Sequence, residues 1–227
     1  MPVSWRFAAC CKIGAPPSLA LSGCFSHVLI APPHCYLHVP DGRYQITGTF
    51  YSPQLDAMTK MKALSTDLDA LRAAEPHMHA VVFTQHSQTH AMVVSVAQAK
   101  GIKVYQLKGG VAAASRHKCI RDFQTQEKVA KVIVATLKTG NCGVTLTAAT
   151  RVFLMEPFID PAHEVQAAGR IHRLGQQRDV FVKRYCFRGT IDEKIVALHK
   201  KIKSGKLVMV DGRLPWDAVK EFKNEGR

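Results

Sequence analysis

From Leu55 onward the chain alternates between two hydrophobic periods. Leu55, Met58, Met61, Leu64, Leu68 and Leu71 recur at steps of three and four, the spacing of one helix face, and the pattern stops before Pro76. The next segment, AVVFTQ at 80–85, is almost continuously apolar and β-branched, which suits a strand buried on both faces. The alternation continues with a helix expected over 87–100, closed by Gly101, a strand over 102–107, a helix over 112–125, and strands over 131–136 and 151–156. Residues 160–174, DPAHEVQAAGRIHRL, predict a helix with Asp160 as N-cap and Pro161 at the first helical position. A strand over 179–185 and a helix opened by the capping pair Thr190 and Glu193 complete the series.

Apolar strands alternating with helices predict an α/β fold: one lobe built on a doubly wound, mainly parallel sheet. Such sheets meet ligands at the carboxyl ends of their strands. Those loops are Thr84–Gln88, Lys108–Val111, Thr136–Thr145 and Glu156–Asp160. Residues 1–54 lack this texture and are expected to form an irregular leader, 55–210 the lobe, and 211–227 a polar tail whose Trp216 is a candidate to dock on it.

Composition narrows the class. Hydrophobic residues make up 47% of the 227, enough for a substantial core and against wholesale disorder. Lys and Arg number 31 against 17 Asp and Glu, a net charge of +14. That excess favours a polyanionic partner, most simply nucleic acid, with a solvated basic surface as the plain alternative. The seven Cys, at 10, 11, 24, 35, 119, 142 and 186, are irregularly spaced and point to free thiols in a reducing compartment. No apolar run reaches the roughly 18–20 residues of a membrane span, so no membrane is expected as a partner. The first forty residues contain no Asp or Glu, which leaves organellar or secretory targeting as compositional alternatives, though neither pattern is complete. His34, Cys35 and His38, with Cys10, Cys11 and Cys24, invite a zinc reading, but no C-x-x-C pair exists and no metal site is expected.

The sharpest chemistry lies in EVQAAGRIHRLGQQ, 164–177. On the expected helix Gln166, Arg170 and Arg173 fall within roughly 60° of one another. No acidic residue stands at i±4 of Arg170 or i−4 of Arg173, which leaves both guanidiniums for a phosphate. A positioned arginine can stabilise charge on a transferring phosphoryl group; an ordinary surface helix is the bland alternative. The chain lacks the means to hold a nucleotide itself. There is no G-x-x-x-x-G-K-[ST] loop: SGKLV at 204–208 and GGVAAAS at 109–115 both fall short. No dinucleotide glycine fingerprint follows a strand, and IDEK at 191–194 reads as the start of a capped helix, not a metal-binding carboxylate pair.

These residues carry a resemblance. QAAGRIHRLGQ at 166–176 resembles motif VI of superfamily-two helicases, Q-x-x-G-R-x-x-R, in the R-x-H-R-x-G-Q form of the Swi/Snf-type DNA translocases. VVFTQ at 81–85 is similar to their V-F-S-Q motif, 134–157 to their motif V with its following strand, and TIDEKI at 190–195 to a T-I-E-E-K-I helix near the end of the lobe. EPFIDPAHEVQAAGR is most similar to the repair and remodelling subgroup that also bears a RING finger, and the likeness spans about residues 55–205. Such enzymes clamp ATP and Mg²⁺ between two RecA-like lobes, the first supplying the phosphate loop and the acidic motif. The resemblance implies that this chain is the second lobe and needs a first. It implies Arg173 as the finger on the γ-phosphate, with Arg170 and Gln166 on phosphate or at the inter-lobe interface and Gly143 and Gly169 beside the nucleotide. It implies contacts to the backbone of double-stranded DNA from Thr84, Gln85, Lys108, Gly109, Gly110, Thr136, Lys138 and Thr139, nucleosomes as a further partner, and a nuclear location.

The sequence also departs from the pattern. The family's A-G-G-x-G-L-N-L is Thr139-Gly140-Asn141-Cys142-Gly143-Val144-Thr145-Leu146 here. L-D-G-S is Leu107-Lys108-Gly109-Gly110, and W-W-N-P is Phe158-Ile159-Asp160-Pro161. No RING finger is recognisable, so ubiquitin-ligase activity does not carry over. The leading expectation is the C-terminal lobe of an ATP-dependent duplex-DNA translocase, inactive alone; the alternative is a non-catalytic DNA- or protein-binding module derived from one.

Overall fold

The β-branched runs form the centre of one sheet. The computed structural model describes residues 35–38, 44–51, 58–136, 144–209, 214–215 and 218. Its strands are β1 (Cys35–His38), β2 (Tyr44–Tyr51), β3 (His79–Thr84), β4 (Lys103–Leu107), β5 (Lys131–Thr136), β6 (Arg151–Leu154) and β7 (Val180–Phe187). The described helices are α1 (Thr59–Ala74), α2 (Ser87–Ala99), α3 (Ala113–Gln124), α4 (Pro161–Ala168) and α5 (Ile191–Lys203). The strand order is β1-β2-β7-β6-β3-β5-β4. Every neighbouring pair from β2 to β4 is parallel, and β1 adds an antiparallel edge. This is the expected doubly wound α/β lobe, of RecA-like form.

Both faces of the sheet are buried because alternate side chains of the same strand leave in opposite directions. On β3, Val81 and Phe83 join a core with Phe123 of α3 and Ala167, Ala168 and Ile171 from α4 and the turn after it. Ala80 and Val82 join the other core, with Met61, Leu64, Leu68 and Leu71 of α1 and Val93 and Ala97 of α2. Each fully buried Val, Leu, Ile or Phe stabilises the fold by about 1.5–3 kcal/mol. The helix starts are capped as expected. Asp160 accepts a hydrogen bond from Ala162 N at 2.8 Å. Thr190 accepts from Asp192 N at 3.3 Å, and Glu193 reaches back to Gly189 N at 2.7 Å.

Two expectations are corrected. Residues 1–54 are not uniformly an irregular leader: β2 pairs with β7 along eight residues, Tyr44↔Val180 to Tyr51↔Phe187, and Ile46 is 0% exposed in the core. YQITGTFY hides this role because Gly48 interrupts it and its Thr and Tyr residues blur the apolar–polar contrast. The second correction is to the arginine helix. α4 stops at Ala168, so Arg170 and Arg173 are not on it. Gly169 weakens the helix there, and the Arg170 carbonyl accepts from Leu146 N at 2.9 Å, a bond outside the helix. Gly140–Gly143, Lys138, Thr139 and Trp216 lie outside the described residues.

Replacing Ile46 by Asp is expected to lower the unfolding free energy by about 3 kcal/mol or more, since it buries a charge in place of a core side chain. Urea denaturation reads it; a loss below about 0.5 kcal/mol, the scale of a surface change, would contradict the place of β2 in the sheet.

Candidate functional site

At the carboxyl edge of the sheet, the loop after β3 is organised by an acid. Glu156, just past β6, accepts from the Thr84 hydroxyl at 3.1 Å and from Gln85 N at 3.0 Å. The Gln85 side chain donates to Pro157 O at 3.0 Å. Thr84 is fully buried, so its hydroxyl shapes the loop and does not face solvent, whereas Gln85 is exposed. The next loop differs. Lys108, Gly109 and Gly110 are all exposed, and Gly110 adopts φ +78°, the left-handed conformation that favours glycine. Thr136 ends β5 and is half-buried. The carboxyl edge therefore presents an ammonium and an exposed pair of glycine amides, groups that bind phosphate without reading bases.

The arginines lie elsewhere. Residues 145–150 run along the amino-terminal side of the sheet: Thr150 N donates to the carbonyl of His79, the first residue of β3. Thr145 was expected at the carboxyl edge; it belongs to this segment instead. Arg173 donates through Nη1 to the Thr145 hydroxyl at 2.9 Å and through Nε to Gly169 O at 3.3 Å. Arg170 is half-buried and makes no side-chain hydrogen bond or ion pair among the described residues; Gln166 is exposed. Gly175, at φ +97°, closes the turn. Behind it the Gln176 amide donates to the carbonyls of Thr147 and Ala149 at 2.8 and 3.0 Å, and Arg178 caps Ala148 O at 2.6 Å. The structure thus joins Gly169, Arg173 and Thr145, keeps Arg170 three residues away, and separates all of them from the Lys108–Gly110 loop.

Sequence reasoning missed what fixes the arginine turn. Glu164, in the first turn of α4, is 0% exposed and accepts from Arg184 Nη1 at 2.9 and 2.8 Å; Arg184, on β7, is 1% exposed. The same carboxylate accepts from Phe158 N at 3.1 Å. His199 of α5 lies 3.0 Å from Arg184 Nη1 through Nδ1 and 2.7 Å from Phe158 O through Nε2. Since the guanidinium only donates, Nδ1 accepts and Nε2 carries the proton, so the imidazole is neutral. Its pKa is lowered, first by burial, with Arg184 adding to the effect and Glu164 opposing it. The cluster locks α4, β7, α5 and the 156–160 loop together. A second polar tie joins α1 to α5, where Lys60 meets Asp192 at 2.6 Å and Met155 O at 3.1 Å. Only an acid placed among apolar helix neighbours hints at such partners in a sequence, and nothing in the spacing says which cation it meets.

The parallel sheet, the arginine turn and the phosphate-suited loop define a RecA-like lobe of the helicase type. The chain belongs to the helicase conserved C-terminal domain family, whose model matches residues 59–175, just over half its length. It is 32% identical to the DNA repair protein RAD5 of Cryptococcus neoformans var. neoformans serotype D, over 74% of this chain and 14% of that protein. It is 32% identical to the human helicase-like transcription factor, over 63% of this chain and 14% of that protein. The chain therefore spans about one seventh of the length of these relatives. The crystal structure of the C-terminal part of the Fun30 ATPase domain shares the fold, with a TM-score of 0.57 and 24% identity over 62% of this chain and 46% of that one. The resemblance to Swi/Snf-type repair and remodelling proteins holds.

Two outcomes follow from the buried cluster. Glu164→Gln leaves Arg184 as an uncompensated buried charge and is expected to cost about 3–5 kcal/mol in urea unfolding; a loss under about 1 kcal/mol, the value of an exposed pair, would contradict the cluster's role. The pKa values of His79, His90 and His199 are all lowered from 6.5, chiefly by burial. Between the folded and unfolded values the unfolded chain binds more protons, so the stability these groups confer is complete above pH 6.5 and is lost as pH falls below it. Urea midpoints should drop from pH 7.5 to pH 5, and less so in His199→Gln, which keeps one donor and one acceptor; a midpoint that rises on acidification would contradict this.

Proposed function

We propose that this lobe is the second half of an ATP-dependent motor that moves along double-stranded DNA in repair or chromatin remodelling, with Arg173 as its arginine finger. The observation that carries the reading is the contrast between the two arginines. Arg173 is held at rest by Thr145 and Gly169, and Arg170, three residues away, has no anionic partner among the described residues. A prearranged cation beside an unpaired one suits a polyphosphate. ATP, when bound, supplies the phosphoryl group whose developing charge such arginines neutralise. This chain's part is to orient the two guanidiniums, with Gln166 and Gly169 beside them; Gly143, which the resemblance also assigns to the nucleotide, lies outside the described residues.

The residues do not suit Mg²⁺ as well. Glu156 is engaged by Thr84 and Gln85, and Glu164 by Arg184. The metal and the phosphate loop therefore belong to a first lobe, as the absence of a G-x-x-x-x-G-K-[ST] sequence also argues. On the opposite edge Lys108, Gly109, Gly110 and Thr136 grip the DNA backbone, and Thr84 and Gln85 act by shaping the loop beside them; Lys138 and Thr139, assigned the same part by the resemblance, lie outside the described residues. Contacts of this kind ignore sequence, which a translocating motor requires. Nucleosomal DNA is one substrate such a lobe can meet, and a nuclear location accords with it. A second reading, a non-catalytic binding module, is favoured by the departures Asn141 and Thr145 within motif V.

The purified chain is expected to bind duplex DNA with an affinity that falls steeply with salt and differs little between sequences. Lys108→Ala should weaken binding to all sequences alike and reduce the log–log salt slope by about 1. The chain alone should show no ATP hydrolysis. Hydrolysis by the chain alone that disappears in Arg173→Ala would sink the claim that a first lobe is needed.

A further inference from the structure

Gln124 is the last residue of α3, and its side chain closes the turn that holds Arg173. Its amide nitrogen donates to Thr145 O at 3.0 Å, and its amide oxygen accepts from Ala148 N at 2.8 Å. A backbone carbonyl can only accept and a backbone N–H can only donate, so these partners fix which way the amide points. One side chain thus spans both ends of the 145–148 turn. The other side of the turn is tied to the arginine segment, through Leu146 N to Arg170 O at 2.9 Å and Gln176 Nε2 to Thr147 O at 2.8 Å. The Thr145 hydroxyl then receives Arg173 Nη1 at 2.9 Å. The Gln amide offers a neutral donor and acceptor side by side; Glu loses the donor and Lys the acceptor.

The helix that delivers Gln124 begins at Ala113, directly after the loop that carries Lys108, Gly109 and Gly110. At about 1.5 Å per residue its twelve residues span about 18 Å, from the carboxyl edge of the sheet to the amino edge. Its first turn is exposed and its second half is anchored: Phe123 is buried, set edge-on to His79 and Tyr105 with ring centroids 5.3 and 5.9 Å away, Cys119 and Ile120 pack partly against the same core, and Tyr105 and Lys131 donate to Asp122 O at 3.2 and 2.7 Å. A rigid secondary element can carry coupling between its ends, and this one joins the exposed loop to the anchored turn that bears Gln124.

We propose that Gln124 is a positioning residue for Arg173, and that α3 conveys the state of the Lys108–Gly110 loop to it. The proposal rests on reading Arg173 as the finger and that loop as the DNA contact. It makes DNA engagement at one edge set the arginine at the other, with no contact between the two sites.

The test is ¹H–¹⁵N NMR of arginine Nε groups in the full 227-residue chain. Arg173 should give a resolved, slowly exchanging Nε–H signal, identified by its loss in Arg173→Lys. Thr145→Val and Gln124→Ala should each shift that signal and speed its exchange, since the guanidinium loses its Nη1 acceptor and keeps only Gly169 O, and Thr145→Ser should leave it in place. Gln124→Glu, which keeps the volume and loses the donor, guards against a fold defect in the alanine variant and should act like it. A signal that moves in Thr145→Val and stays put in both Gln124 variants would overturn the assignment. Saturating short duplex DNA should then shift the Gly109 and Gly110 amides in every variant, and the Arg173 signal in wild type but not in Gln124→Ala. Glycine amides that shift while Arg173 does not would overturn the link through α3. Glycine amides that stay still would overturn the DNA reading of the loop and leave the assignment of Gln124 to the first set of variants.

Discussion

The buried contact between Glu164 and Arg184 is the constraint on which the rest of this lobe depends. A carboxylate and a guanidinium removed from water lose several kcal/mol of solvation each, and regain it only if their geometry and remaining hydrogen bonds are satisfied. Here the Glu164 carboxylate also takes Phe158 N, and His199 bridges Arg184 to Phe158 O. α4, β7, α5 and the 156–160 loop must therefore stand in one arrangement. α4 is fixed against β7, so the arginine turn that follows α4 starts from a defined point. The 156–160 loop is fixed too, and with it Glu156, which shapes the loop after β3. A hydrophobic substitute for the pair could be as stable, but it would not direct hydrogen bonds to the backbone of that loop.

Much of the fold was legible because burial on both faces leaves a strong mark. The runs AVVF, KVIVAT and RVFL have no solvent face to blur them, and the helices between them carry a clear apolar stripe. β2 was illegible because it is short of contrast and its partner β7 lies far along the chain. The arginine pair was found, since cations without acidic neighbours stand out. Its geometry was not, because α4 ends at Ala168 and the segment after it is tied by Arg170 O to Leu146 N, a contact between residues 24 positions apart. Thr84 illustrates the same limit. A hydroxyl at the end of a strand suits a phosphate by type, and only the fold shows that it is turned inward to Glu156.

The lobe separates its two chemistries. Phosphate-suited amides and Lys108 occupy the carboxyl edge of the sheet, and the arginines sit on the amino-terminal side with Thr145. The proposed motor calls for such a separation, with a track on one surface and a nucleotide presented by another body at a second. Thr145 is the most informative departure from the family's motif. Its hydroxyl accepts from Arg173 at 2.9 Å, so the residue that stands where the family has Asn holds the arginine.

The central claim is that Arg173 completes an active site whose other half is a first lobe. The direct measurement is steady-state ATP hydrolysis by this chain mixed with a matching Swi/Snf-type first lobe and duplex DNA. DNA-stimulated turnover should appear only in the mixture, and Arg173→Ala should reduce kcat by about 10³-fold or more, the scale of a lost arginine finger, with duplex affinity unchanged. Turnover in the mixture that is indifferent to Arg173→Ala would contradict the account.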